Sequence, residues 1–279
     1  MAEILSLAGC QIFRTKCQNH AYYYWWTFID SISINIPGQN RYRVYFPDLS
    51  EFIKGTGGIS SYSTGLKSHN LITSEMNEFD QKAQDWDKNK MHLARTMAIA
   101  DQMQKLIPFK PNMKALEFGA GTGLLSFYLK DRFSEITLMD SSLEMLKMAE
   151  QKMESDDHLK FKTRFINLEK EDYFGINFDI IYSQMVLHHM KDINAIIQKF
   201  YHILNPGGIL AIADLYKEDG SFHDGDMNVH RGFEPKELTS ILHQQGFHEI
   251  KIAPCFVIRK EITPEEIKEY PVFLLTAYW

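Results

Sequence analysis

The sequence has few cysteines, no long apolar run and no excess of positive charge, and each absence excludes a class of protein. Three cysteines in 279 residues are too few, and odd in number, for a disulfide framework. No apolar stretch approaches the roughly 18 residues that a membrane-spanning helix requires. A formal net charge of −6 provides no broad basic surface for nucleic acid. We therefore expect a cytoplasmic protein with no membrane or nucleic-acid partner.

The amino-terminal cysteines do not form a recognisable metal motif. Cys10, Cys17 and His20 have no fourth ligand nearby, and their spacing matches no common zinc pattern. Leu7 to Cys10 is similar to a lipoprotein cleavage site, but the nine residues before the cysteine contain an acid and no Lys or Arg, which makes a poor export signal. We predict no metal ligands in this sequence.

A change in composition divides the chain near residue 75. Residues 1–75 carry six basic and five acidic side chains, whereas residues 76–279 carry 24 basic and 31 acidic ones. The first part is rich in aromatics and ends in a Gly/Ser-rich stretch, 55–68, which is typical of a linker. We predict an extension of unknown role over 1–75, either a small β-rich cap, a lid or a poorly ordered segment, and a self-sufficient domain over 76–279.

From Asp80 onward, helix-like and strand-like segments alternate. Apolar spacing predicts one helix over 80–107, and Ser141 with Glu144 forms a capping box at the start of another helix. The predicted strands are 114–118, 135–139, 161–166, 178–182, 209–213, 247–252 and 272–278. This alternation predicts an open, mostly parallel α/β sheet that is covered on both faces. In such sheets, ligands bind beyond the carboxyl ends of the strands.

A glycine-rich loop follows the first of these strands. Glycines at every second position allow a tight turn and a close approach of the backbone to a ligand. The dinucleotide-binding fingerprint G-x-G-x-x-G fits imperfectly, because Leu124 occupies the position of its third glycine. Glu117, directly before the loop, would repel a pyrophosphate but suits a cationic amino group. The loop reads Glu117-Phe118-Gly119-Ala120-Gly121-Thr122-Gly123.

An acid ends the second strand. Asp140 is placed to accept both hydroxyls of a ribose. Together with Glu117, the glycine loop and the lack of a phosphate-binding lysine, it indicates a ligand with an amino acid, a ribose and no phosphate. S-adenosylmethionine is such a ligand, and we predict it as the cofactor.

Residues 78–255 resemble the class I S-adenosylmethionine-dependent methyltransferases, and most closely the small-molecule group that is similar to the enzymes of ubiquinone and menaquinone biosynthesis. The resemblance implies a Rossmann-like, doubly wound, mostly parallel seven-stranded sheet with an antiparallel last hairpin. It rests on Phe79-Asp80 to Asp87, the Glu117 to Gly123 loop, Asp140, Phe178-Asp179-Ile180-Ile181, Leu187-His188-His189 and Pro206-Gly207-Gly208.

The resemblance also implies roles for individual residues. The methionine part of the cofactor would lie against Glu117 and the loop residues Gly119, Ala120, Gly121, Thr122 and Gly123. Asp140 would hold the ribose, with Ser141 and Met145 nearby, and Asn167-Leu168-Glu169 would flank the adenine. Many relatives have Asp where Asn167 stands. Ser183, at the end of the fourth strand, completes the predicted cofactor-binding residues.

The sequence identifies the residues that would contact the methyl acceptor less clearly than those that would bind the cofactor. Ser183-Gln184-Met185-Val186 lacks the Asp/Asn-Pro-Pro-Tyr/Phe tetrapeptide of methyltransferases that act on base amino groups. Direct displacement needs a base only if the nucleophile must lose a proton. We predict His230 and His188 as catalytic or substrate-contacting residues. His189 is a candidate together with His188, although one of these two histidines more often anchors the strand–helix turn than takes part in chemistry. Tyr216, His223, Asp224 and Arg231 are further candidates.

These observations favour an enzyme that transfers a methyl group from S-adenosylmethionine to a small-molecule acceptor by direct displacement. Three alternatives stay open at this point. They are a protein methyltransferase, an NAD-dependent oxidoreductase and a non-catalytic S-adenosylmethionine-binding protein. The sequence does not identify the acceptor, the atom that is methylated or the oligomeric state.

Overall fold

The computed structural model describes residues 2–7, 10–16, 22–23, 31–34, 42–45, 78–154, 160–226, 228–263 and 265–279. The chain separates into two compact units, residues 1–74 and 75–279. The Gly/Ser-rich stretch 55–68, predicted to be a linker, lies outside the described residues.

The described residues of the first unit form five short strands. Three of them, β1 (Ala2–Leu7), β2 (Cys10–Lys16) and β3 (Tyr22–Tyr23), form an antiparallel sheet in chain order. The other two, β4 (Ser31–Ile34) and β5 (Tyr42–Tyr45), pair as a separate antiparallel ribbon. The strand-like pattern from Arg41 to Phe46 agrees with β5.

The second unit contains six α-helices and seven strands among its described residues. The helices are α1 (Glu78–Lys82), α2 (Lys90–Leu106), α3 (Leu124–Leu129), α4 (Leu143–Glu154), α5 (Ile193–Ile203) and α6 (Pro235–Gln244). Short 3₁₀ turns cover Ala83–Lys88, Lys130–Arg132 and Leu187–His189. Within the described part of the chain, none of the helices is long and apolar enough to cross a membrane.

All seven strands of this unit form one sheet, which confirms the predicted fold class. They are β6 (Lys114–Phe118), β7 (Glu135–Asp140), β8 (Phe161–Phe165), β9 (Phe178–Gln184), β10 (Leu204–Leu215), β11 (His248–Thr263) and β12 (Glu266–Tyr278). Their order is β11-β12-β10-β9-β6-β7-β8. The five strands β6 to β10 run parallel, and the last hairpin is antiparallel to them.

Helices bury apolar side chains against both faces of the sheet. On one face, Ile99 and Met103 of α2 and Leu125 of α3 join a buried cluster. On the other, Phe200 of α5 and Leu242 of α6 join a second one. Burial on both faces explains why the central strands are almost continuously apolar. The two clusters fix the sheet, and its carboxyl edge is free to carry a site.

Two helix starts differ from the predictions. The predicted single helix 80–107 is interrupted at Asn89, whose side chain accepts hydrogen bonds from the backbone N–H groups of Met91 and His92 and so caps α2. At α4, Ser142 rather than Ser141 accepts from the N–H of Met145. In both places a side-chain cap sets the boundary. At α2 the apolar spacing continues across the Asn89 cap, and at α4 two adjacent serines offer the same capping chemistry. The last hairpin, β11–β12, is also longer at both strands than the apolar pattern predicts.

Candidate active site

The loop between β6 and α3 has the conformation that its glycines allow. Gly119, Gly121 and Gly123 have φ values of +62°, +55° and +76°, in the left-handed region that side chains disfavour. A Cβ atom at Gly119 would lie only 2.5 Å from Cγ2 of Val186. The sequence needs glycine at this position for two reasons, the backbone angle and the packing against the segment after β9.

Asp140 holds the loop from the end of β7. One of its carboxylate oxygens accepts a hydrogen bond of 2.6 Å from the backbone N–H of Gly121, and the other accepts one of 2.7 Å from Ser142. A carboxylate offers about four lone-pair positions, so both oxygens can accept further bonds from a ligand. Burial raises the pKa of Asp140 to about 6, against the opposing effect of its backbone donors.

A pocket opens beside Asp140 with an empty volume of about 350 Å³. Its walls include six of the residues predicted to contact the cofactor, which are Gly119, Asp140, Ser141, Asn167, Leu168 and Glu169. The remaining lining residues are Phe118, Ile166, Val186 and Met190. Apolar walls with the Asp140 carboxylate at one side suit a flat base that is attached to a ribose, and none of the described residues that line the pocket is a Lys or Arg that could balance a pyrophosphate. The residues present therefore fit the adenosine part of S-adenosylmethionine.

Glu117 lies beneath the loop and is fully buried. Its Oε2 accepts hydrogen bonds from the N–H and the hydroxyl of Ser126, whereas Oε1 has no hydrogen-bond partner among the described residues. Burial raises the pKa of Glu117 to about 8. The carboxyl group thus fixes the first turns of α3, and its contact with an ammonium group stays a prediction.

Other predicted residues support the loop from behind. The hydroxyl of Thr122 donates to Asp87 over 2.6 Å, and Asp87 also pairs with Lys152. Met145 is buried, and its sulfur would be 3.8 Å from a Cβ atom at Gly121. Ser183 is buried in β9, and its hydroxyl has no hydrogen-bond partner among the described residues.

The segment before α2 is attached to the same edge of the sheet. Asp80 of α1 accepts a 2.6 Å hydrogen bond from the Ser142 hydroxyl, which also caps α4. Asp87 reaches the loop through Thr122. These two side chains explain why the Phe79-Asp80 to Asp87 motif belongs with the glycine loop, although more than thirty residues separate Asp87 from it in sequence.

A buried histidine–aspartate pair lies at the ends of β9 and β10. Nδ1 of His188 and Oδ1 of Asp214 are 2.6 Å apart, and Asp214 also accepts from the N–H of Leu215. Burial acts to raise the pKa of Asp214, but the charge and hydrogen bond of His188 outweigh it and hold the pKa below its usual value. Sequence reasoning missed Asp214. Asp214 directly follows the predicted strand 209–213. Since ligands bind beyond the carboxyl ends of parallel strands, this position was the available signal.

Two further histidine rings lie against His188. The ring centroids are 4.2 Å from His188 to His189 and 5.0 Å from His188 to His223. Burial, followed by the nearby His188 and His223, lowers the pKa of His189 to about 3. His223 was a candidate from its loop, and His189 was a candidate together with His188 from the Leu187-His188-His189 segment. The structure thus brings three histidines together.

His230 has a different environment. Its ring is exposed and stacks on Phe233 with 5.7 Å between centroids. Its backbone N–H donates to the carbonyl of His188 over 2.7 Å. The connection of His230 to the histidine cluster therefore runs through the backbone, and its catalytic role stays a prediction.

Arg95 is a second charged group that sequence reasoning missed. It is buried on α2, and burial lowers its pKa to about 10, although Asp214 nearby acts in the opposite direction. The next residue, Thr96, donates to the side chain of Gln184 over 3.0 Å. Charged residues seldom occupy the buried face of a helix, so no periodicity argument would have selected Arg95.

Comparison with known families agrees with this geometry. Residues 116–210 match the model of a family described as a methyltransferase domain. That range begins in β6 and ends in β10, so it contains the glycine loop, Asp140 and the strand that leads to His188.

Several curated proteins are similar to the same part of the chain. An uncharacterized methyltransferase of Schizosaccharomyces pombe is 30% identical over 50% of this chain and 49% of its own length. Phosphoethanolamine N-methyltransferase 3 of Arabidopsis thaliana is 29% identical over 52% of this chain and 31% of its own length. Malonyl-[acyl-carrier protein] O-methyltransferase of Enterobacter lignolyticus is 28% identical over 42% of this chain and 44% of its own length. The chain thus spans at most about half the length of these relatives.

Solved structures share the fold at lower identity. A methyltransferase in complex with the Haloferax volcanii activator Trm112 has a TM-score of 0.60 and 18% identity, over 72% of this chain and 97% of its own. Phosphoethanolamine N-methyltransferase 2 of Haemonchus contortus, in complex with S-adenosyl-L-methionine, has a TM-score of 0.54 and 12% identity, over 73% of this chain and 60% of its own. These likenesses support the fold.

Proposed function

We propose that the chain is a class I S-adenosylmethionine-dependent methyltransferase that transfers a methyl group from S-adenosylmethionine to a small-molecule acceptor. The match to a methyltransferase domain favours this function over the NAD-dependent oxidoreductase that the sequence alone left open. The narrower similarity to enzymes of ubiquinone and menaquinone biosynthesis stays a prediction.

The observation that carries the proposal is the position of Asp140. Its carboxylate bonds the glycine loop through Gly121 and at the same time lines the pocket. One side chain therefore couples the loop to the place where a ribose would lie. We assign the ribose to Asp140 and the adenine to the walls formed by Asn167 and Leu168.

The remaining cofactor contacts follow from the same placement. Gly119 lines the pocket without a side chain, so its backbone can approach the ligand closely. Thr122 and Met145 hold the loop in shape from behind, and we assign them a supporting role. Ser141 lines the pocket next to Asp140 and completes its rim.

The reaction makes few chemical demands on the protein. When bound, the cofactor supplies a methyl group on a sulfonium centre, which is a good leaving group. The chain then has to hold the acceptor in line with that methyl group and keep water out, and correct positioning provides most of the rate acceleration. A nucleophile that arrives with a proton also needs a group to receive it.

We place the acceptor near the histidines at the ends of β9 and β10. Asp214 accepts from Nδ1–H of His188, so Nε2 is the ring nitrogen that remains for a contact. His188 and His230 are the residues that we propose for contact with the acceptor. Two relatives are named for their acceptors, phosphoethanolamine and malonyl-[acyl-carrier protein], and these names suggest the first acceptors to examine.

A methyl-transfer assay tests this function. The full chain is incubated with S-adenosylmethionine labelled in the methyl group and a metabolite panel that includes phosphoethanolamine and malonyl esters. We expect label in one class of small molecule, and much less with Asp140→Ala than with the exposed control Asp131→Ala. Label in added proteins only would indicate a protein methyltransferase instead. Cofactor binding without label in any acceptor would indicate a non-catalytic binding protein.

A further inference from the structure

Three imidazole side chains converge beside the candidate cofactor pocket. His188 and His189 lie on the 3₁₀ turn after β9, and His223 lies in the loop after β10. One potential ligand nitrogen from each of the three lies within 4.8 Å of the other two. The ring centroids of His189 and His223 are 5.1 Å apart, so every pair in the cluster is in contact range.

The most buried of the three rings is held in a defined orientation. The Asp214 carboxylate lies 2.6 Å from Nδ1 of His188, and both side chains are buried. A second oxygen of Asp214 accepts from the backbone N–H of His188. Histidines that ligate a metal usually donate their other ring N–H to a carboxylate, which fixes the tautomer and makes the ligating nitrogen more basic.

The other two residues, His189 and His223, are partly buried. Tetrahedral zinc with Zn–N bonds of about 2.1 Å separates its ligand nitrogens by about 3.4 Å. Because the three nitrogens lie within 4.8 Å of one another, each pair has to approach by at most about 1.4 Å, and rotation of the His189 and His223 side chains can supply this. Three imidazoles and one open position are the ligand set of many catalytic zinc sites.

We propose that His188, His189 and His223 form a binding site for a divalent transition-metal ion, zinc(II), with Asp214 as the hydrogen-bonded support of His188. The fourth position is open to water or to an oxygen, nitrogen or sulfur atom of a ligand. The site stands on the geometry of the cluster. Only its use in holding an acceptor rests on the proposed function.

The test measures zinc binding by the tag-free full chain. Calorimetry with zinc chloride is expected to give one site per chain. Replacement of the zinc with cobalt(II) is expected to give the strong visible absorption of a tetrahedral site. His189→Ala and His223→Ala each remove one ligand, and we expect either to weaken zinc binding at least tenfold. His202→Ala, an exposed histidine on α5, is the matched control and should bind zinc as the wild type does.

The Asp214→Asn variant distinguishes a metal site from three histidines that lie together without binding a metal. It keeps all three histidines but removes the support of His188, so we expect a loss of about 10- to 100-fold in zinc affinity. Circular dichroism reports whether each variant is folded, and the cobalt spectrum of the wild type tests the site without any variant.

Two results would overturn the proposal. One is folded wild-type protein that binds no zinc and gives no tetrahedral cobalt spectrum. The other is a pair of histidine variants that bind zinc as tightly as the wild type. S-adenosylmethionine binding is measured on the same preparation with and without a chelator, so failure of the metal site and failure of the cofactor site give different results.

Discussion

The carboxylate of Asp214 lies 2.6 Å from Nδ1 of His188, between the ends of two neighbouring parallel strands. Both side chains are buried, and the carboxylate also accepts from two backbone N–H groups, those of His188 and Leu215. A buried carboxylate with so many donors is stable as an anion, and it keeps the proton of His188 on Nδ1.

We expect Asp214→Asn to destabilise the protein by about 2 kcal/mol, since a charge-assisted buried hydrogen bond is lost. Because the pKa of Asp214 is lowered in the folded state, its contribution is present above the unfolded value of about 3.9 and is lost as the pH falls through the folded value. Urea unfolding at about pH 5 should therefore give a larger difference from the wild type than urea unfolding at about pH 3. Equal differences at these two values would contradict the assignment, and loss of the His188 Nδ1–H proton resonance would report the bond directly.

Glu117 should have the opposite pH dependence. Burial raises its pKa to about 8, whereas the unfolded value is about 4.3. The folded chain then holds a proton that the unfolded chain has released, so the free energy of unfolding should fall from about pH 4.3 to about pH 8. In Glu117→Gln this contribution is absent, and the variant should gain stability relative to the wild type as the pH rises. Parallel curves for the two proteins would refute this.

The same variant decides between two roles for Glu117. If its carboxylate binds the amino group of the cofactor, Glu117→Gln should weaken S-adenosylmethionine binding about tenfold or more. If the side chain only fixes Ser126 and α3, binding should be nearly unchanged, since the amide can still accept from the Ser126 N–H. Calorimetry separates these outcomes.

Gly119→Ala should damage the loop through both backbone strain and a clash. The φ value of +62° and the 2.5 Å approach to Val186 predict a loss of stability of about 1–3 kcal/mol and a large loss of cofactor affinity. Gly207→Ala is the matched control, because Gly207 has a φ of +73° but an added Cβ meets nothing within 4 Å. Adding Val186→Ala should restore part of the loss in Gly119→Ala. Equal effects of the two single variants would argue that the packing against Val186 is unimportant.

The Thr122 hydroxyl connects the glycine loop to Asp87, in the amino-terminal segment of the domain. A variant without this hydroxyl tests whether the connection matters. Thr122→Val removes its 2.6 Å hydrogen bond to Asp87 and keeps the shape of the side chain. We expect a loss of stability of about 1 kcal/mol and a severalfold weaker affinity for the cofactor, measured by urea unfolding and calorimetry. Unchanged affinity would show that the loop keeps its shape without Asp87.

The fold and the cofactor end of the site could be predicted because their signals are local. Apolar runs of strand length predicted the sheet, and the glycine spacing predicted the loop that Gly119 and Gly121 now form with left-handed φ values. Asp140 was predicted because it directly follows a predicted strand. In each case the informative residues are adjacent in sequence.

The acceptor end of the site depends on contacts between residues that are far apart in the sequence. His188 and Asp214 are 26 residues apart and meet because β9 and β10 pair in parallel with Gln184 opposite Ala213. The position of His223 depends on how the loop after β10 folds back, which no periodicity encodes. For the same reason His230 was preferred from its neighbours in the sequence, and its exposed ring on Phe233 is visible only in three dimensions.

Binding of the cofactor product at Asp140 is tested most directly by calorimetric titration of S-adenosylhomocysteine into the full chain at several pH values. We predict one site per chain, with affinity that falls below about pH 6 as Asp140 takes up a proton, because the ribose hydroxyls need an anionic acceptor. Asp140→Asn should bind at least about tenfold more weakly, without that pH dependence. Folded wild-type protein that does not bind the compound at any pH would contradict the proposed cofactor site.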